Sequence, residues 1–215
     1  MNDTEIIIIG AGGFAYECWL MLRKLLDMGA PATFAGFAAK EASSILSYGL
    51  GEFFLGDEDA VEIRPEREFI IAVGFPYARK AIYERFKTRG ARFMNLVDPS
   101  AIVSEEILER TEASIFCPNS LTVSLEFGIG NVVNSLTTVA HDTRIGDFNV
   151  LSGHCDVCGH AEIGDLNFFG SHASMLPSSK LGNGNRVAAG SVVYKKHRDG
   201  RILLGNPAQD VGGVL

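Results

Sequence analysis

Up to about residue 96, apolar positions come as short unbroken runs separated by amphipathic stretches. "EIIIIG" reads as a buried strand. Gly10, Gly12 and Gly13 follow it, and a helical pattern from Phe14 to Met28 closes at Gly29. "TFAGF" (33–37) and "FIIAVG" (69–74) predict two further strands, and "ARFMNLV" supplies a fourth. Pro76 stands where a helix favours its first residue and opens "YARKAIYERFKTRG", a solvated face over a packed one. Strands alternating with helices predict a small parallel sheet over residues 1–96, half the size of a full dinucleotide-binding unit.

The pattern then changes period. From Ile115 to Val193 every sixth residue is apolar, fourteen positions in a row, and Val97 and Val103 fit the same phase with only Glu109 interrupting it. Glycine often follows the apolar residue (128, 146, 164, 170, 182). The fourth position after it is small or Asn in each repeat up to Ser191, apart from Leu125. A six-residue period makes one short flat side of a parallel β-helix, and three such sides make an 18-residue coil whose apolar residues point into a narrow core. This part covers residues 97–215, with a C-terminal tail after the coils. The expected fold is therefore α/β plus β, a Rossmann-like parallel-sheet domain followed by a β-helix of hexapeptide repeats.

Composition narrows the partners. Nineteen Lys and Arg against 26 Asp and Glu leave a net charge of −7 and no basic stripe, which argues against nucleic acid. The apolar run Ile6 to Ile9 is far shorter than a membrane span or signal-peptide core, so no membrane partner and a cytoplasmic location are expected. Four cysteines at irregular spacing read as reduced thiols.

"IIIIGAGGFA", "FIIAVG…ARKAIYERF", "LVDPSAIVS", the hexapeptide array and the closing "GNPA" (205–208) together resemble bacterial sugar acyltransferases. These have a nucleotide-sugar-binding N-terminal domain and a left-handed β-helix, and they acetylate amino sugars on nucleotide carriers or hydroxyls of sialic acid. The resemblance implies a homotrimer that transfers an acyl group, acetyl first among them, from acetyl-CoA to a sugar amine or hydroxyl for surface glycan synthesis.

"AHD" (140–142) is the chemical centre of that expectation. His141 is the third residue of the hexapeptide begun by Val139, so its side chain should lie outside the core. By resemblance it is the general base, placed where subunits meet, and Asp142 raises its basicity. A sugar amine or hydroxyl must lose a proton as it attacks a thioester, and imidazole titrates near the working pH. A neighbouring carboxylate favours the imidazolium that forms. The resemblance further implies that the donor's pantetheine arm passes Val150, Ser171 and Ala189, and that Gly12, Gly13 and Phe14 contact the sugar nucleotide. Some members carry a second His, in contact with the acetyl thioester, where this chain has Val150, and others commonly carry acidic residues where it has Ala38, Ala39 and Lys40. A non-catalytic trimer that binds a sugar nucleotide or acyl-CoA is the alternative.

Two other chemistries were weighed on the residues. The glycine run could close a dinucleotide fingerprint at Ala15, but no acidic residue ends the second strand to hold a ribose, which disfavours NAD. The cluster "HCDVCGH" (154–160) holds metal-ligand types, yet Cys155 falls at an inward position and the side chains need not converge. His154 and His172 lie one coil apart and should stack on one flank, and no further His follows the spacing of the zinc sites known on such helices. No metal is expected. "KKHRDGR" (195–201) reads as a polar loop leaving the last coil that coenzyme A phosphates could use.

Overall fold

The computed structural model describes residues 4–213. Four parallel strands, β1 (Thr4–Ile9), β2 (Ala32–Ala38), β3 (Arg67–Ile71) and β4 (Arg92–Phe93), form a sheet in the order β2-β1-β3-β4. β1 is central and apolar on both faces. Ile6 and Ile8 pack with Cys18, Met21 and Leu22 of helix α1 (Gly13–Asp27), whereas Ile7 and Ile9 pack with Ile82, Tyr83 and Phe86 of helix α3 (Pro76–Lys87). Between β2 and β3 lies a short helix α2 (Ser43–Ser47). The segment "ARFMNLV" is divided: Arg92–Phe93 extends this sheet, and Leu96–Val97 already pairs with Ile115–Phe116 of the next domain.

The second domain is a left-handed parallel β-helix with three flat faces. Face 1 runs from Leu96–Val97 to Arg201–Leu204, face 2 from Ile102–Val103 to Val192–Val193, and face 3 from Glu126–Phe127 to Lys196–His197. From Phe127 to Val193 the expected apolar residues fill the core. The glycine after each inward residue has a physical cause at the corner joining face 3 to face 1. A Cβ on Gly146 or Gly164 would collide with the side-chain oxygen of Asp165 or Asn183 one coil above. Those oxygens accept backbone N–H bonds from Asp147 (2.8 Å) and Asp165 (2.7 Å) in the coil below. Beside this ladder runs a buried one, in which Asn149, Asn167 and Asn185 each donate their backbone N–H to the Asn Oδ1 one coil down at 2.7–2.9 Å. Each such bond contributes about 1 kcal/mol net.

The first two apolar steps are out of phase. Val132–Val133 pairs with Ile115–Phe116 and Thr138–Val139 with Leu121–Thr122, so Phe116 and Thr122 face inward. Ile115 packs against the N-terminal domain instead. One residue is missing between Thr122 and Phe127, which turns Leu125 out to solvent and buries Ser124 in its place. Val97 and Val103 do pack on the core, but opposite Phe116 and Thr122. The interruption at Glu109 is a helix, α4 (Glu105–Arg110), which stands in for the third strand of the first coil and pushes Ile107 into the core. At the other end, 195–201 is no mere loop: Lys196–His197 is the last strand of face 3, and His197 is turned inward and buried.

The N-terminal domain covers face 1 and the corner between faces 3 and 1. Ile115, Cys117, Val132 and Val150 pack with α1, and Phe148 packs with Tyr83 of α3. Arg79 joins the halves. It lies on the packed side of α3, fully buried, and donates to the carbonyls of Val73 (3.2 Å), Gly130 (2.9 Å), Ala113 (2.8 Å) and Ile71. Burial away from any carboxylate lowers its pKa to about 10. Truncating it would leave four carbonyls short of a donor, each a loss of roughly 1–3 kcal/mol. A charge on an amphipathic helix is ordinarily solvated, whereas Arg79 is fully enclosed.

Candidate active site

The three corners of the β-helix carry different chemistry. His141 and Asp142 sit in the turn from face 2 to face 3, immediately after Val139, where the backbone of Asp142 takes φ +58°. Both side chains are outside the core, as the hexapeptide frame requires. His141 Nδ1 and Asp142 Oδ2 are 2.7 Å apart. With the carboxylate ionised, Nδ1 carries the proton and donates, which leaves the Nε2 lone pair free. The His141 hydrogen bond, with smaller help from the His160 and His141 charges, holds the Asp142 carboxyl below the usual carboxylate range.

Two residues one coil higher frame this pair. Gly159 lies over the ring, and a Cβ there would come within 3.0 Å of His141 Cε1 and 3.1 Å of Nε2. His160 stands over Asp142, its Nε2 3.9 Å from Asp142 Oδ2, and its ring meets that of His141 edge-on at 5.5 Å. Neither was singled out for this corner from the sequence, although adding 18 or 19 to 141 finds both. On the lower side, His141 and Asp142 border an open cleft of about 390 Å³ walled by Glu106 and Arg110 of α4 and by Val123 and Leu125. That wall follows from the helix at Glu105–Arg110, which the periodicity did not predict.

The expected donor residues do not form one surface. Ser171 and Ala189 are exposed neighbours on successive coils at the corner between faces 1 and 2, beside His172. A Cβ on Gly170 would meet Ala189 N at 2.6 Å, which explains the glycine there. Val150 is instead on face 1, only 5% exposed, in the cluster that holds the N-terminal domain. Its burial takes it away from an acyl chain lying on the outer surface of this chain, which corrects the expectation.

In the N-terminal domain, Gly10 is the conformationally demanding glycine. Its φ is +123°, and a Cβ would sit 2.7 Å from Ala72 O of the neighbouring chain segment after β3. Gly12 and Gly13 open α1 without a side-chain cap; a Cβ on Gly12 would meet nothing and one on Gly13 only Tyr48 Oη at 3.7 Å. Packing therefore does not require them to be glycine. Tyr48, from the segment after α2, stacks on Tyr16 at 4.2 Å and flanks this open helix start, with Phe14 half-buried nearby. The loop lies at the carboxyl ends of β1 and β3, the position where parallel sheets of this kind bind ligands.

His154 and His172 stack as the spacing predicts, ring centroids 4.7 Å apart and 16° from parallel. Cys155 faces the core and His154 and His160 occupy different corners, so "HCDVCGH" does not converge. Within one chain His141 is also remote from the glycine loop, since its corner is the one opposite face 1 and the covering domain.

A Rossmann-like parallel sheet seated on one face of a left-handed β-helix is a fold also seen in solved structures. No family model matches the chain. Among solved structures, the acetyltransferase domain of PglB from Neisseria gonorrhoeae FA1090 in complex with acetyl coenzyme A is 23% identical and superposes with a TM-score of 0.84 over 97% of this chain and 100% of that one. PerB from Caulobacter crescentus in complex with CoA and GDP-perosamine is 23% identical, with a TM-score of 0.79 over 97% of each chain. WeeI from Acinetobacter baumannii AYE is 20% identical, with a TM-score of 0.69 over 97% of this chain and 100% of that one. At these identities the likeness establishes the fold. No helix among the described residues is long and apolar enough to cross a membrane.

Proposed function

We propose that the protein transfers an acyl group, acetyl in the first instance, from acyl-coenzyme A to the amine of a nucleotide-linked sugar. The observation that carries this reading is the His141–Asp142 pair, whose hydrogen bond directs a free imidazole nitrogen outward beside an open cleft. Similar folds that hold acetyl coenzyme A, or CoA with GDP-perosamine, support the substrate classes. As the sugar amine attacks the thioester carbonyl its nitrogen becomes positively charged, His141 Nε2 takes one of its protons, and Asp142 steadies the imidazolium. The tetrahedral intermediate then collapses and expels the coenzyme A thiolate. No thiol or hydroxyl hydrogen-bonds His141 among the described residues, in keeping with direct transfer.

The uncapped start of α1 at Gly12–Gly13, with Phe14 and Tyr48 beside it, suits a diphosphate next to a flat or sugar ring. Because this loop and His141 face opposite sides of one chain, the reading includes a homotrimer in which a neighbour's loop delivers the sugar to His141. Ser171 and Ala189 remain the proposed donor contacts, their small side chains leaving room for a pantetheine arm. The test is thiol release from acetyl-CoA with a panel of GDP-, UDP- and dTDP-linked amino sugars, read beside the mass in solution. Turnover with one acceptor and a trimer mass are expected. A trimer that binds acetyl-CoA but releases no thiol with any acceptor would favour the non-catalytic reading.

A further inference from the structure

The coil geometry brings together a set of metal-ligand types that chain order hides. His141 Nδ1 lies 2.7 Å from Asp142 Oδ2, His160 Nε2 lies 3.9 Å from the same oxygen, and ligand atoms of all three residues fall within 4.8 Å of one another. Two imidazole nitrogens and a carboxylate oxygen form a donor set suited to zinc, whose bonds of ~2.0–2.2 Å put tetrahedral ligands about 3.3 Å apart. Small rotations close the difference. They are available because the three side chains are 72%, 51% and 62% exposed, and because Gly159 leaves the space over the ring clear. A solvent-facing fourth position remains for water.

We propose that His141, Asp142 and His160 form an inhibitory site for a borderline divalent cation such as zinc. Binding rests on this geometry alone, and only its inhibitory consequence rests on the proposed role of His141. In the metal-free pair Nδ1–H donates to Asp142 and Nε2 holds the free lone pair. Zinc takes the Nδ1 lone pair and the Asp142 oxygen, so the single imidazole proton must move to Nε2. Nothing is oxidised and no proton is lost from the neutral ring, yet Nε2 becomes a donor and can no longer accept a proton from an acceptor amine. His160 completes the chelate; in the metal-free pair its Nε2 stands 3.9 Å from Asp142 Oδ2, beyond hydrogen-bond distance.

The experiment uses chelator-treated, tag-free full-length protein titrated with zinc chloride against a chromophoric competitor, for the parent, His160→Ala and His154→Ala. One zinc per chain is expected in the parent and in His154→Ala. His160→Ala should bind about 100-fold more weakly or worse, since losing even a group behind a ligand costs 10- to 100-fold. Cobalt in place of zinc should give the intense visible bands of a tetrahedral site in the parent and lose them in His160→Ala. Long-range ¹⁵N spectra should place the His141 proton on Nε2 when zinc is bound, which reads the consequence whether or not an acceptor is known. Given turnover, zinc should inhibit the parent, and His160→Ala, judged against its own metal-free rate, should resist zinc. Equal zinc binding by parent and His160→Ala, no binding against the competitor, or a His141 proton that stays on Nδ1 would each overturn the proposal. If zinc binds as expected but no acyl transfer is found with any acceptor, the function fails and the site stands.

Discussion

Two corners of the β-helix each carry a pair of histidines about one coil apart, and they are not alike. His154 and His172 occupy the same place on successive coils and stack face to face, 4.7 Å between centroids, with neither ion-paired to a carboxylate among the described residues. His141 and His160 are offset by one residue, so the upper imidazole lies over Asp142, the lower one lies beneath Gly159, and the rings meet edge-on. A spacing of 18 sets a side chain over its own counterpart, whereas 19 sets it over the next residue along the chain. That single-residue offset sets the second imidazole over the carboxylate of the His141–Asp142 pair instead of over the first imidazole.

The largest expected contrast between the corners is kinetic. His141→Ala should lower kcat by ~10²- to 10⁴-fold, the usual loss for a general base, while His154→Ala should stay near the parent rate; equal losses at both corners would erase the distinction. Asp142→Asn should lower kcat by less, on the order of 10-fold or somewhat more, because the imidazole survives and the amide oxygen can still accept from Nδ1–H, but the negative charge that steadies the imidazolium is lost. A kinetic comparison at fixed pH with unchanged acetyl-CoA affinity checks it.

Gly159→Ala sharpens the comparison without touching either side chain. Its methyl meets the exposed ring end first, at 3.0–3.1 Å, and His141 O at 3.3 Å, so thermal stability should fall little while kcat falls by up to about 10-fold, misplacement of reacting groups by an ångström being able to cost more. Gly153→Ala at the other corner, whose Cβ would lie 3.4 Å from Ser135 O, should leave kcat unchanged.

The smallest effect belongs to a histidine at neither corner. His197 is inward-facing with Nε2 unpaired, and burial, aided by the Lys195 charge, lowers its pKa below 6.5. The unfolded chain therefore binds its proton first as pH falls. Stability should decline from about pH 6.5 down to the folded-state pKa and then level off, and rise again with pH over that window. His197→Leu should flatten this part of a denaturation series; an unchanged slope would show that the ring titrates freely.

Much of the architecture was legible in the chain. The switch from strand–helix alternation to a six-residue period announced the β-helix, and the repeat turned His141 outward and stacked His154 on His172. Local pattern suffices there because each coil is built from its own eighteen residues and contacts only the next. What failed did so where that locality breaks. The deleted residue after Thr122 shifted Ile115 and Leu121 out of the core, and α4 replaced a strand, because alternating apolar residues satisfy either register until a whole coil is closed.

Tertiary structure alone decided the rest. Val150 has an outward position like Ser171, and only the docking of the N-terminal domain on face 1 buries it. Arg79 has a helical neighbourhood suited to solvent, and only the meeting of Ile71, Val73, Ala113 and Gly130 carbonyls around one point makes it a buried joint. His160 read along the chain belonged with two cysteines; wound into the helix it belongs with Asp142. The sequence by itself determined the periods, the inward and outward alternation and the identity of the His–Asp pair, which depend on neighbours along the chain. Which outward residues are covered, which charges are enclosed and which groups meet across coils depend on surfaces hundreds of atoms apart in covalent order, and folding is what brings those surfaces together.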